Sequence, residues 1–361
     1  MVNRQRENCH INLDTVKANS RRIIFQSKSP GPQIDLYNAL TGFVPPAIIN
    51  YGHCDIEKSA SLIIPGFHFV YCNEMMPPSH LLPDGTDDLH CPSPHGDFMF
   101  RLWAGGDISF ARHGHRHGHT KKKPSLMTSG NLPTTAASRS SSTLCLGEQV
   151  VDAKMVDGGD KVFVKVRRIL VECPFSSTND DDTITDNNDN NNSEAETKLP
   201  MCPSNDGLDN SKVDFHWLVT PDAALLFRFS ALTLNAHAIH LDREYTRRVY
   251  GLPDLVVHGP LTVCLMMQVL LCAQRRYESA RGLSSGQLVI DSLSYTNIAP
   301  LYVDQTMKIC VKEPPSPPPA AEEKEEATAG QVWAVWISKK VNGMWKVAVR
   351  ANAKVSGLLR E

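Results

Sequence analysis

The feature that most constrains the fold is one predicted helix in the second half of the chain, residues 261–276, of which 261–273 form the longest apolar stretch of the sequence. On a helix its apolar residues lie all round the cylinder, which predicts burial on most sides. Pro260 favours a helix start here, because proline is tolerated in the first turn. The apolar stretch is too short to cross a bilayer. The segment therefore predicts a central helix enclosed by the rest of a domain.

Strand-forming segments surround this helix in the sequence. They are predicted at 223–230, 286–296, 306–312, 332–337 and 345–355. Between the first strand and the long helix, Asp242 favours a short helix that runs to Arg248, since aspartate is a good N-cap. One buried helix wrapped by antiparallel strands is the outline of a hotdog fold.

The first half of the chain is less regular. Strands are predicted there at 67–72, 105–111, 144–155 and 161–173, and a helix around 13–25. Three low-complexity segments contain too little apolar sequence to offset their ordering entropy: 112–142, 176–209 and 313–330. The first and third interrupt strand-like sequence and are predicted to be long hairpin insertions. The second separates two halves.

Composition narrows the class of protein. The formal net charge is −2 over 361 residues, which argues against a general nucleic-acid binder. Ten cysteines without a Cys-x-x-Cys pair, and no recognisable signal peptide, favour a reduced intracellular compartment. Basic residues near the N-terminus, mixed with Glu7 and Asp14, leave two locations open, the mitochondrion and the cytoplasm.

Three residues that could act as a base, a water-orienting amide and an oxyanion-binding N–H lie at or just before the start of the long helix. Asn235 and His240 share the segment Phe229-Ser-Ala-Leu-Thr-Leu-Asn-Ala-His-Ala-Ile-His240, and Gly259 follows in Val257-His-Gly-Pro-Leu261. Histidine, with an ordinary pKa of about 6.5, can accept and return a proton near neutral pH. An asparagine amide can orient water, and a glycine N–H at a helix start can bind a developing oxyanion. This set suits the addition of water to an acyl thioester, or its removal.

Less specific interpretations of these residues stay open. Asn235 is also a common turn residue, and His258-Gly259-Pro260 could be only a loop into a helix. His237 competes with His240 for the catalytic role. On a strand these two side chains would point to opposite faces, so only one need enter a cleft.

The segment from Phe229 to Leu261 resembles the MaoC-like, or type 2, enoyl-thioester hydratases and dehydratases. Their motif Asp-x-Asn-Pro-Ile/Leu-His places Asn235 at the Asp, His240 at the His and Gly259 at the later oxyanion glycine. Asn for Asp, and Ala238 for the proline, depart from that motif. The fuller pattern Ser-Ala-Leu-Thr-x-Asn-x-His-x-Ile-His-x-Asp is similar to the branch that contains mitochondrial hydroxyacyl-thioester dehydratase type 2 and mesaconyl-C4-CoA hydratase.

Three further segments are similar to the same branch: Leu81-Leu-Pro-Asp-Gly85, Arg101-Leu-Trp-Ala-Gly-Gly106 and Asn297-Ile-Ala-Pro-Leu-Tyr302. The resemblance implies an α+β double hotdog, in which a degenerate N-terminal unit accepts the acyl chain and the C-terminal unit is catalytic. The predicted domains are an N-terminal extension at 1–34, the degenerate hotdog at 35–175, a linker at 176–209 and the catalytic hotdog at 210–361. A monomeric pseudo-dimer and a homodimer both fit this arrangement.

The resemblance also implies a hydro-lyase that needs no cofactor and dehydrates 3-hydroxyacyl thioesters of CoA or acyl carrier protein, in mitochondrial-type fatty-acid synthesis. In the simplest scheme His240 takes the C2 proton and then protonates the departing hydroxyl, while Asn235 steers that oxygen and Gly259 stabilises the enolate. The alternatives are a mesaconyl-CoA-like hydratase, a polyketide-tailoring dehydratase and a non-catalytic hotdog that binds acyl thioesters.

Four more residues are candidates for substrate binding: His258, Pro260, Arg247 and Trp103. Arg247 would meet the phosphates of CoA or a carrier protein, and a solvated helix face is the alternative. Trp103 would either lie beside a pantetheine tunnel or, in the interpretation that we favour, anchor the core. Gly105 and Gly106 would then be a close packing point between the halves.

Two other motifs are set aside. The run His113-Gly-His-Arg-His-Gly-His119 lies in a low-complexity insertion and is interpreted as incidental, so no metal site is predicted. The Gly-x-Ser-x-Gly match at 282–286 follows a predicted helix and precedes a predicted strand. A nucleophile elbow needs the reverse order, so this match is interpreted as a turn.

Overall fold

The computed structural model describes residues 22–45, 63–91, 100–110, 143–156, 161–173, 213–284, 286–314 and 330–357. The predicted insertion at 112–142 with its histidine run, the linker at 176–209, the N-terminal basic segment up to residue 21 and most of 313–330 lie outside these ranges. Within them, no helix is both long and apolar enough to cross a membrane.

The described residues form nine strands and five α-helices. The strands are β1 (Arg22–Ser27), β2 (Gly105–Ser109), β3 (Thr143–Val156), β4 (Lys161–Cys173), β5 (Phe215–Val219), β6 (Leu288–Asn297), β7 (Met307–Lys312), β8 (Gln331–Val341) and β9 (Met344–Gly357). The helices are α1 (Gly31–Leu40), α2 (Ala223–Leu232), α3 (Ala238–Leu241), α4 (Arg243–Arg248) and α5 (Gly259–Ala280).

The second half of the chain is a hotdog unit built on α5. Its strands form an antiparallel sheet in the order β2-β6-β9-β8-β7-β5, and α5 packs against four of them. Leu265 and Met266 in the middle of α5 are fully buried, as are Val263 and Val269 on other sides of the helix. Each such side chain stabilises the fold by about 1.5–3 kcal/mol through removal from water. The predicted central helix and the four strands after it are confirmed.

The first half covers the remaining side of α5 and forms a smaller unit. Cys264 and Gln268 on α5 donate hydrogen bonds to the carbonyl oxygens of Gly66, at 3.0 Å, and Pro65, at 3.1 Å. Its own sheet has three strands in the order β1-β3-β4, and α1 packs against α2 of the second half. The fold is therefore α+β, with a full hotdog and a reduced N-terminal counterpart.

Strand β2 joins the two halves. It belongs to the first half in sequence but pairs with β6, with Gly105 opposite Thr296. A side chain at Gly105 would be excluded, because its Cβ would lie 2.4 Å from the carbonyl oxygen of Tyr295. The close packing predicted at Gly105 therefore takes the form of strand pairing, in a sheet to which both halves contribute. The predicted domain boundaries stay predictions.

Three predicted elements are wrong. Residues 223–230 form helix α2 instead of a strand, because Asp222 caps it through the Leu225 N–H at 2.7 Å and a short apolar run has no decisive period. Residues 67–72 contain a 3-10 helix, Phe67–Val70, which begins after Gly66 in the left-handed region at φ 91°. The end of the predicted helix at 13–25 belongs to strand β1.

Candidate active site

A cleft with a volume of about 3760 Å³ runs between the two halves. The second half contributes Asn235, His240 and Gly259 to its lining, and the first half contributes Trp103 and Asp84. The structure therefore brings the three predicted catalytic residues to one cleft, together with groups from the other half. Pro260 lines it as well.

Asn235 begins the turn between α2 and α3. Its Oδ1 accepts a hydrogen bond from the His237 N–H at 3.0 Å, and the preceding Leu234 is left-handed at φ 51°. The amide oxygen is therefore used by the turn, as expected for an Asn in this position. Nδ2 can only donate hydrogen bonds, so it is the group of Asn235 suited to steering a substrate oxygen.

His240 is held in one tautomer by the backbone. Its Nδ1 lies 2.6 Å from the carbonyl oxygen of Val256, so Nδ1 carries the proton and donates it. Nε2 has no hydrogen-bond partner among the described residues and retains a free lone pair. Burial lowers the pKa of His240 to about 3, although the bond to Val256 opposes that shift. The expectation of an ordinary pKa is wrong, and the ring is a neutral base at pH 7.

His258 supports the ring of His240 from behind. The two rings are stacked, with centroids 3.7 Å apart. His258 is fully buried, and its Nε2 lies 2.8 Å from the Ser230 hydroxyl. Burial lowers the pKa of His258 well below its usual value, so this ring is neutral too. The structure places His258 beneath His240 and not in the lining of the cleft.

Gly259 is the first residue of α5, and its N–H has no acceptor within the helix. A Cβ at this position would lie 2.9 Å from three atoms of Trp103, so only glycine fits beside that indole. Trp103 Nε1–H donates to the Tyr295 hydroxyl at 2.7 Å. The indole is 44% exposed, so the interpretation of Trp103 as a core anchor is wrong. It covers the start of α5 at the edge of the cleft.

Arg247 lies outside this lining. Its guanidinium donates to the Pro253 carbonyl oxygen at 2.8 Å and pairs with Asp254 at 3.2 Å. Arg243 pairs with the same carboxylate at 2.8 Å. Both side chains are about half exposed. A contact between Arg247 and a substrate phosphate stays a prediction.

A polar network that the sequence did not predict lies beside His240. Asp84 Oδ2 accepts a hydrogen bond from the Tyr250 hydroxyl at 2.8 Å, and His237 Nε2 lies 2.9 Å from that same hydroxyl. The rings of His237 and His240 have centroids 5.3 Å apart. They do not point to opposite faces as expected for a strand, because the segment turns helically and the His240 N–H donates to the His237 carbonyl oxygen.

The first half holds the catalytic segment through the same turn that carries Asp84. The Ala238 N–H donates to the Asp84 carbonyl oxygen at 2.7 Å, and a Cβ on Gly85 would lie 2.2 Å from the Ala236 carbonyl oxygen. Burial alone would raise the pKa of the Asp84 carboxyl, but hydrogen bonds from His237, Thr86 and Tyr250 hold it well below its usual range. The segment 81–85 was recognised in the sequence by its similarity to the family. The sequence did not indicate that this segment contacts residues 236–238.

The fold and the site define a hotdog protein in which His240 and the N-terminus of α5 line one cleft. The chain belongs to the hydroxyacyl-thioester dehydratase type 2 family, whose model matches residues 66–303. It is accordingly a hydro-lyase. In the described ranges, no group of three or more His, Cys, Asp or Glu side chains is placed to hold a metal ion.

Three individual proteins are similar to this chain. The hydroxyacyl-thioester dehydratase type 2, mitochondrial, of Schizosaccharomyces pombe is 25% identical over 288 residues, 79% of this chain and 88% of that protein. The mesaconyl-C(4)-CoA hydratase of Chloroflexus aurantiacus is 28% identical over 205 residues, 57% of this chain and 63% of that protein. A solved MaoC-like dehydratase from Phytophthora capsici is 10% identical, with a TM-score of 0.48 over 96% of this chain and 99% of that one.

Proposed function

We propose that this protein dehydrates 3-hydroxyacyl thioesters to trans-2-enoyl thioesters, in mitochondrial-type fatty-acid synthesis. The observation that carries the proposal is the state of His240. Its Nδ1–H is fixed on the Val256 carbonyl oxygen, and its unpaired Nε2 belongs to a ring that lines the cleft. A neutral imidazole with a fixed tautomer is ready to take a proton without first losing one.

The remaining groups suit the other demands of the reaction. Loss of the C2 proton moves charge onto the thioester oxygen, and an N–H at a helix start stabilises such charge. Gly259 offers that N–H at the start of α5. The Nδ2 group of Asn235 is suited to steering the C3 hydroxyl, since its Oδ1 is used by the turn. In the hydration direction the same groups would add water to the enoyl thioester.

The pathway and compartment are supported by the relatives alone. Two proteins named mitochondrial hydroxyacyl-thioester dehydratase type 2, from Schizosaccharomyces pombe and Saccharomyces cerevisiae, are similar to this chain. They favour a mitochondrial location and a hydroxyacyl-thioester substrate. The similarity to a mesaconyl-C(4)-CoA hydratase supports a second candidate, hydration of short dicarboxylic CoA esters.

Hydration of crotonyl-CoA, followed by loss of enoyl absorbance, tests the proposal. We expect the wild type to be active and His240→Ala to lose about 100- to 10,000-fold in kcat, the usual contribution of a proton-transfer group. Equal rates for both proteins would leave only a thioester-binding role. A panel of short, long and dicarboxylic thioesters, on CoA and on acyl carrier protein, separates the two candidate functions by kcat/KM.

A further inference from the structure

We infer that His237 is the second proton-transfer residue of this site. In its imidazolium form, held by Asp84 and Tyr250 from two sides of the cleft, it protonates the departing hydroxyl while His240 takes the C2 proton. This inference rests on the proposed function and changes its scheme, because His240 then has one task instead of two.

The hydrogen-bond directions fix which nitrogen of His237 exchanges protons. The Tyr250 hydroxyl donates to the Asp84 carboxylate, so its oxygen is free to accept from His237 Nε2–H at 2.9 Å. Nε2 therefore carries a proton in every charge state. Nδ1 has no hydrogen-bond partner among the described residues and belongs to a ring that lines the cleft. Nδ1 is the nitrogen that can deliver a proton to a bound hydroxyl.

The Asp84 carboxylate has His237 as a neighbour within ion-pair distance. Asp84 is 9% exposed and ionised, and the two closest side-chain donors to its carboxylate, Thr86 at 2.7 Å and Tyr250 at 2.8 Å, are neutral. The Oδ2 atom lies 3.4 Å from His237 Nε2. A buried anion needs a counter-charge, and His237 is the one of these neighbours that can carry it.

The other groups that face His237 do not compete for this charge. His240 is kept neutral by its burial, and so is His258 behind it. Tyr245 and Phe100 contact the far side of Tyr250 and bring no charge. His237 is thus the ring nearest the carboxylate, and the neutral ring of His240 lies beside it. Two titratable groups with opposed environments are the usual arrangement of an acid and a base.

This arrangement also accounts for Asn235 standing at the position of the motif aspartate. Asparagine cannot transfer a proton, whereas Asp84 supplies a carboxylate from the first half of the chain and acts through His237. Asp84 and Tyr250 are positioning residues in this scheme, because neither contacts the reacting atoms.

The proposed step balances. His240 Nε2 takes the C2 proton, and the C–H electron pair passes through the enolate to form the C2=C3 bond. The C3–O bond breaks, and the oxygen takes the proton from His237 Nδ1 and leaves as water. His240 is then protonated and His237 neutral. Transfer of that proton back between the two rings, 5.3 Å apart, restores the starting charges.

A substrate whose leaving group needs no proton separates the two roles. We would compare 3-hydroxybutyryl-CoA with 3-chlorobutyryl-CoA, because chloride departs without protonation while the C2 proton must still be removed. His237→Gln keeps a donor towards Tyr250 and should lose about 100- to 10,000-fold in kcat on the hydroxy substrate. On the chloro substrate it should lose less than about tenfold. His240→Ala should lose both activities.

The chloro reaction is also the folding control, since a misfolded variant fails on both substrates. Tyr250→Phe provides a second variant that keeps the ring, and it should show the same selective loss in weaker form. Asp84→Asn should also lose more activity on the hydroxy substrate than on the chloro substrate, because the carboxylate that positions His237 is removed.

Equal losses on both substrates in folded His237→Gln and Tyr250→Phe, or no loss on either, would overturn the inference. The proposed function fails separately, and in a distinguishable way, if the wild type eliminates from neither substrate or if His240→Ala is as active as the wild type.

Discussion

His240 and His258 form a stacked pair in which only the upper ring reaches the cleft, with 19° between the ring planes. The lower ring is fully buried and bound to Ser230. Stacking and the bond from Nδ1 to Val256 together leave the base one orientation. The pair therefore connects the stability of the fold to the direction of the Nε2 lone pair of His240.

Removal of the His258 ring should affect both the stability of the fold and the orientation of His240. We expect His258→Ala to lose about 2–4 kcal/mol of unfolding free energy, in the range of large-to-small core substitutions. It should also lower kcat more than it changes KM, since His240 would lose its support but the cleft would keep its lining. His258→Phe keeps a ring of similar shape and should retain most of the kcat. Denaturant unfolding and steady-state kinetics test this, and equal kcat values for Ala and Phe would contradict the supporting role.

The same pair predicts how stability depends on pH. The folded pKa of His240 is about 3 and its unfolded value about 6.5, so the unfolded state binds more protons between these values. Its contribution is fully present above about pH 6.5 and is lost as the pH falls towards 3. At pH 5 the loss is about 2 kcal/mol, at about 1.4 kcal/mol per pH unit. Tm measured at pH 7.5 and 5.0 should fall less in a His240→Gln, His258→Phe variant than in the wild type.

Gly259 and Trp103 should be coupled. Gly259→Ala places a Cβ 2.9 Å from the indole, so we expect a loss of about 1–3 kcal/mol from overpacking. Trp103→Ala removes the obstacle, and the double variant should regain most of the stability that Gly259→Ala lost. A double-mutant cycle from urea unfolding measures this coupling. Additive effects would show that the two residues are not in contact.

Gly85 should be essential for docking the first half on the catalytic segment. Gly85→Ala combines a left-handed backbone, φ 82°, with a Cβ 2.2 Å from the Ala236 carbonyl oxygen. Gly42→Ala is the matched control, because its φ is 91° and a Cβ there meets nothing within 4 Å. Both variants should lose about 1 kcal/mol from backbone strain. Only Gly85→Ala should also lose kcat by about tenfold or more, since its turn positions His237 and His240. Equal kcat values for Gly85→Ala and Gly42→Ala would show that the turn at Gly85 does not position the residues needed for activity.

Much of the secondary structure of the second half could be predicted from local sequence patterns. The apolar residues around α5, the proline at its start and the strands after it are properties of neighbouring positions, and each was confirmed. The resemblance predicted that His240, Asn235 and Gly259 share one site, and all three line the cleft. Helix α2 was missed because a ten-residue apolar segment satisfies both a buried strand and a buried helix.

The sequence by itself determined the central helix and the glycine at its start, since short-range spacing specifies these, and its resemblance to a family predicted His240 as the base. The tertiary structure alone decided that Asp84 lies beside His237, that His258 lies beneath His240 and that Trp103 covers Gly259. Such contacts join residues from different elements, and packing selects them. The low pKa of His240 has the same origin, because burial is a property of the folded chain and not of any segment.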